Sequence, residues 1–244
     1  MLVEGEDDAR PMGSGRGAKP PGYNVQTAVD ADTGLILHHD VTAEPVDRRL
    51  LYPMASATKS SLDLEALRVV ADKGYDNGEQ LRACEDEAIT PHVPSQRTVN
   101  NKGDGTLFDR SDFIHDPQTD MYRCPADKSL PRKQIQKKDR SVIYAADKAD
   151  CSMCPLKPRC TQSARRYVTR HLDEEVRKRA NERASPDVMR ARRCSVEHPF
   201  GTIKRKMAGG RFLTRNLTGT KTEMALSVLA YNMLRAINIR SEPA

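Results

Sequence analysis

Residues 190–204, RARRCSVEHPFGTIK, hold one carboxylate, Glu197, among Arg190, Arg192, Arg193 and Lys204. On a helix Glu197 lies four residues after Arg193 and seven before Lys204, so the three fall within about 40° of one face at roughly 100° per residue. One acid among several bases is a poor core stripe. It suits a site that must hold a divalent cation and a phosphate together, and it also describes a solvated, salt-bridged helix face.

A second carboxylate stands in a suggestive place. Leu67, Val69 and Val70 form a short apolar run that ends in Ala71-Asp72 and breaks into Lys73-Gly74-Tyr75. A buried strand ending in an Asp places that acid at the sheet edge, where open α/β sheets build sites; an Asp after a strand is equally a turn former or helix cap. Asp30 and Asp32 lie in the sequence DADTG, where Asp and Gly serve backbone turning.

A third set is soft. Cys124, Cys151, Cys154 and Cys160 follow the pattern C-x26-C-x2-C-x5-C. Close spacing lets neighbouring thiolates share one tetrahedral ion, and four sulfur ligands favour Zn²⁺. The alternative is a set of free thiols in a basic loop. Cys84 and Cys194 fall outside the cluster and read as small core fillers.

These residues need elements to position them. Residues 1–22 are rich in Gly, Pro and charge and read as a disordered leader. YNVQTAVD and LILHHDVT alternate as two strands of a hairpin about DADTG. Residues 45–67 read as helical, with Pro53 at a start or kink. A helix over Asn77–Glu87 follows, then ITPHVP as an edge strand. Residues 95–120 are polar; the stretch 95–184 is a basic, Cys-rich insertion ending in the charged helix LDEEVRKRANERA. Ser185-Pro186 is a helix start. Pro199 and Gly201 predict a kink or break just after Glu197, with Lys204 in a second piece. The closing helix TEMALSVLAYNMLRAINI is apolar nearly all round and is expected to be buried against a sheet.

Across 244 residues the apolar fraction is 37% and the aromatic fraction 5%, with no Trp. No apolar run has the length of a membrane span, and the N-terminus lacks a secretory pattern, so a cytoplasmic protein is expected. The net charge of +6 is unevenly divided. Residues 1–120 carry 12 basic and 22 acidic residues, whereas 121–244 carry 28 and 12. So basic a C-terminal half is the electrostatic footprint of a nucleic-acid partner.

Taken together, YNVQTAVDADTGLI, VVADKGYDNGEQLRACE, the CPLKPRC segment, RRCSVEHPFGTIK and MALSVLAYNMLRAINI resemble stretches of the DDE transposases of bacterial insertion sequences, over about residues 22–240. The resemblance implies a ribonuclease-H-like α/β fold, a mixed sheet flanked by helices, built from 23–94 and 185–240 around the Cys-rich insertion. It implies that Asp72 is the second and Glu197 the third acid of a triad that holds Mg²⁺ ions for phosphoryl transfer on DNA. Part of that family has a Tyr-x2-Arg-x3-Glu-x6-Lys signature. Arg193, Glu197 and Lys204 keep its spacing, Arg190 stands in place of the Tyr, and the bases would contact transposon-end phosphates.

In that family the first acid lies on a strand ahead of the hairpin, and no strand-borne Asp precedes Tyr23 here. The expectation is therefore a transposase fragment lacking its first catalytic strand, with its two-ion site incomplete and its activity weak. Its partners would be transposon ends and target DNA, a second copy, or a full-length transposase, in a bacterial cytoplasm at the nucleoid. The alternative is a non-catalytic DNA-binding fragment that interferes with the full-length enzyme. A decayed gene product is a third.

Overall fold

The computed structural model describes residues 7–12, 20–95, 106–206 and 211–241, which form a mixed α/β protein. Along the chain run β1 (Arg10–Pro11), β2 (Pro21–Gly22), β3 (Asn24–Val29), β4 (Ile36–Thr42), α1 (Leu51–Ser61), β5 (Leu67–Val70), α2 (Gly78–Asp86) and β6 (Ile89–His92). Next come β7 (Ile114–Asp116), β8 (Met121–Arg123), β9 (Ser129–Gln136), β10 (Ser141–Ala145), α3 (Lys148–Ser152), α4 (Lys157–Cys160) and β11 (Tyr167–His171). Helices α5 (Glu174–Arg183), α6 (Pro186–Lys206) and α7 (Asn216–Ser241) complete the order. The chain divides into two compact units, Met1–Ser95 with Val176–Ala244, and Gln96–Glu175.

In the first unit the hairpin forms where alternation predicts it, β3 against β4 from Asn24↔Thr42 to Val29↔Ile36. Its turn needs Gly34 at φ +70°, and the Asp30 carboxylate accepts the Thr33 amide at 2.9 Å. Asp30 is thus a turn former. Strands β5 and β6 pair in parallel, Leu67↔Ile89 to Val70↔His92, with α2 as the crossover between them. Asn77 caps α2 by accepting the Glu79 amide at 3.0 Å. Leu81 and Cys84 of α2 pack with Leu51, Ala55, Ile89, Val93, Val176 and Ala180. Leu81 is fully buried, which contributes about 1.5–3 kcal/mol. The strands of this unit pair only in twos, β1–β2, β3–β4 and β5–β6, rather than as one mixed sheet among the described residues.

Four further expectations differ from what forms. Of the leader, residues 7–12 and 20–22 are described: Arg10–Pro11 pairs with Pro21–Gly22, and the Asp8 carboxylate accepts from the Tyr23 hydroxyl and the Leu217 amide. Helix α6 runs unbroken through Pro199, so Lys204 belongs to the same helix as Glu197. A mid-helix Pro costs roughly 3 kcal/mol, but Pro199 is buried and Ile203, one turn on, sits in a core with Ile36, Val41, Met224, Val228 and Tyr231. Burial of that stripe offsets the lost hydrogen bond. Helix α7 buries only Thr220, Met224, Val228 and Tyr231; Leu226, Leu229, Met233 and Ile237 are each more than half exposed. Cys194 is exposed, so it fills no core, whereas Cys84 does.

The second unit holds a five-stranded antiparallel sheet in the order β11-β10-β9-β8-β7, where sequence suggested only a basic insertion. One face is packed with Tyr122, Leu130, Val142, Tyr144 and Val168. The pattern escapes reading because β9, SLPRKQIQ, buries only Leu130. Among the described residues no helix is long and apolar enough to cross a membrane.

Candidate active site

Asp72 follows β5 in extended conformation, as the sequence predicts, and begins a 3-10 turn over Lys73–Tyr75. Its Oδ1 accepts the Gly74 amide at 2.8 Å, so the turn-cap role expected of such an Asp is present. Gly74 is required by space. A Cβ there would stand 2.9 Å from Asp72 Oδ1 and 3.7 Å from Asp47 Oδ2. The carboxylates of Asp72 and Asp47 therefore flank the same glycine.

Asp47 is held from the hairpin. Its Oδ1 accepts from Asn24 Nδ2 at 2.8 Å and Gln26 Nε2 at 2.9 Å, and Gln26 Oε1 accepts the Tyr75 hydroxyl. Burial pushes the Tyr75 phenol far up, and the negative charges of Asp47 and Asp72 push it further, so Tyr75 stays a neutral donor. Sequence reasoning missed Asp47, which opens a 3-10 turn, Asp47–Arg49, with nothing in its type or spacing to distinguish it.

The opposite wall is α6. Ser185 starts the helix as predicted, its Oγ 3.4 Å from the Val188 amide. Arg192 reaches out of this helix and donates from Nη2 to Asp72 Oδ2 at 3.2 Å. Its Nε is buried and has no hydrogen-bond partner among the described residues. At about 100° per residue Arg192, Val196, Pro199 and Ile203 share one face within about 60°. A signal was therefore available: an Arg heading an apolar stripe needs an acid to meet it.

Glu197 and its bases lie elsewhere on that helix. Arg190, Arg193, Glu197 and Lys204 are all exposed, on a face centred about 130° round from Arg192. Glu197 makes no hydrogen bond or ion pair with a described residue, and Arg190 is 3.8 Å from the exposed Asp187. The structure thus joins Asp72 to α6 through Arg192 and shows no contact between Asp72 and Glu197. No group of three or more His, Cys, Asp or Glu side chains among the described residues stands at separations that could hold a metal ion.

The remaining predicted ligands are in the second unit. Cys124, Cys151, Cys154 and Cys160 line one cavity of about 30 Å³, and all are free thiols. Burial pushes the Cys160 thiol up, while the Arg166 guanidinium opposes the shift.

A half-exposed carboxylate thus follows a parallel strand and meets a basic helix on an α/β scaffold. The sequence as a whole places it further: the family model described as the transposase DDE domain matches residues 2–233, and the chain belongs to that family. It is a transposase, of a family that acts on DNA and uses divalent metal ions. Nothing among the curated proteins or the solved structures matches the chain.

Proposed function

We propose that Asp72 is the metal-binding acid around which a ribonuclease-H-like transposase site is assembled, with Glu197 as its partner on α6. The observation that carries this reading is the position of Asp72 at the end of a parallel strand, anchored by Gly74 and reached by α6 through Arg192. The donors fit a hard cation. Asp72 and Glu197 offer only oxygen, Asp72 is 44% exposed, and Glu197 is exposed without a partner among the described residues. Bound Mg²⁺ would polarise the phosphoryl oxygen and lower the pKa of the attacking hydroxyl. Arg192 holds the Asp72 carboxylate in place. Arg193, Lys204 and Arg190, exposed along α6, grip the DNA backbone. Helices α1 and α6 each contact both β3 and β5, which supports reading the two strand pairs as parts of one sheet.

A second reading keeps the DNA and drops the chemistry: a binding fragment that pairs with or interferes with a full-length transposase. It is favoured by the Arg192–Asp72 ion pair, which occupies a carboxylate oxygen that a metal needs.

The two separate on a transposon-end duplex. The catalytic reading predicts cleavage that needs Mg²⁺ and is lost in Asp72→Ala. The binding reading predicts affinity without cleavage, unchanged by Asp72→Ala. In both, Arg193→Ala and Lys204→Ala each flatten the plot of log affinity against log salt by about one unit. Unchanged slopes in both variants would remove the α6 bases from the DNA interface.

A further inference from the structure

We propose that the four cysteines of the second unit form a structural Zn²⁺ site, independent of the carboxylate site. Three observations converge. First, Cys124, Cys151, Cys154 and Cys160 come from separate elements yet line the same cavity, whose volume of about 30 Å³ is that of one small body rather than an organic ligand. Second, the turn after β8 is shaped around a sulfur. Asp127 takes φ +59°, and this brings the Lys128 amide to 3.4 Å from Cys124 Sγ while the Cys124 amide donates to the Lys128 carbonyl at 2.9 Å. An amide aimed at sulfur stabilises a thiolate more than a thiol.

The third observation is a surplus of positive charge. Arg166 lines the cavity and is only 6% exposed. Its guanidinium donates to two carbonyls, Cys160 O at 2.8 Å and Phe108 O at 3.2 Å, and lies over the Phe113 ring 4.9 Å from its centroid, while its Nε is buried without a hydrogen-bond partner among the described residues. Lys128 and Lys157 also line the cavity, against one acid, Asp150. A buried cation held by neutral carbonyls and a ring face, with no anion beside it, is costly. Four thiols or two disulfides would leave it so. Four thiolates on one Zn²⁺ carry a net charge of about −2, which the surplus of two cations on the cavity wall balances.

The thiols converge without standing at ligand separations. Drawing them onto one ion takes changes of side-chain rotamer, and each binding thiol gives up its proton as the metal enters.

The test is metal analysis of the full chain purified without chelator, with thiol counting by an aromatic disulfide reagent. The expected result is about one Zn per chain, one fast-reacting thiol, Cys194, and four more that react only after a strong chelator is added. Cys194→Ser should keep the zinc and lose the fast thiol. Cys154→Ser, at a half-exposed position that tolerates the change, should cut retained zinc to about one-tenth or less. A chain without zinc whose cluster thiols react at once would overturn the site. So would a native mass lowered by the loss of thiol hydrogens, the mark of disulfides.

Discussion

The two units gather ligand-like side chains in opposite ways. Around Asp72 the donors are oxygens, the carboxylate is half exposed, and its geometry is fixed from outside by an amide and a competing guanidinium. Around Cys160 the donors are sulfurs, the cavity is small, and three cations on its wall, Lys128, Lys157 and Arg166, face one acid, Asp150. The first arrangement leaves coordination positions for water and substrate, as an exchangeable hard cation needs. On the zinc proposal, the second would hold a resident ion. On the proposals above, the contrast separates a place for chemistry from a place for folding.

The contrast can be broken at its supports. The carboxylate site of the first unit is backed by a buried ion pair, Asp76 with Arg177, in which Asp76 is 2% exposed. Removing one partner of such a pair leaves a buried charge and costs about 3–5 kcal/mol. Asp76→Ala should therefore lower the unfolding free energy of the first unit, measured by urea titration, by that amount. A loss of less than about 1 kcal/mol would place the stability of this region in the apolar core alone.

A smaller effect sharpens the second unit. The Tyr144 hydroxyl donates to Asp120 Oδ1 at 2.5 Å and holds that carboxyl below the usual Asp range; partial burial opposes the shift, and His115 and Arg132 assist it. A depressed pKa stabilises the fold at pH above the ordinary Asp value and loses that contribution as pH falls through the lowered one. Acid titration of the second unit should show this loss below about pH 4, and Tyr144→Phe should reduce it. An identical acid limb in the variant would mean that other carboxylates govern the transition.

Much of this was legible in sequence. The hairpin, the β5-to-Asp72 strand end and the Ser185 helix start are local signals, written in alternation, turn residues and caps. The four cysteines stand out by type and spacing, whereas the proposed roles of Asp72 and Glu197 come from the family resemblance. What sequence could not supply was set by tertiary packing. Pro199 stays in its helix because Ile203 and its neighbours bury that stripe. Arg192 rather than Glu197 meets Asp72 because the helix is rotated by its apolar face. Asp47 joins the site through hairpin amides that no periodicity predicts. The sheet of the second unit hides behind charged, half-exposed strands.

The central claim is that Asp72 and Glu197 hold a divalent metal. Mn²⁺ binding to the full chain in the presence of a transposon-end duplex tests it most directly, since thiolate ligands do not favour Mn²⁺. The account predicts that Asp72→Asn and Glu197→Gln each weaken Mn²⁺ binding by about tenfold or more, equivalent to about 1.4 kcal/mol. Affinity unchanged in both variants would contradict it.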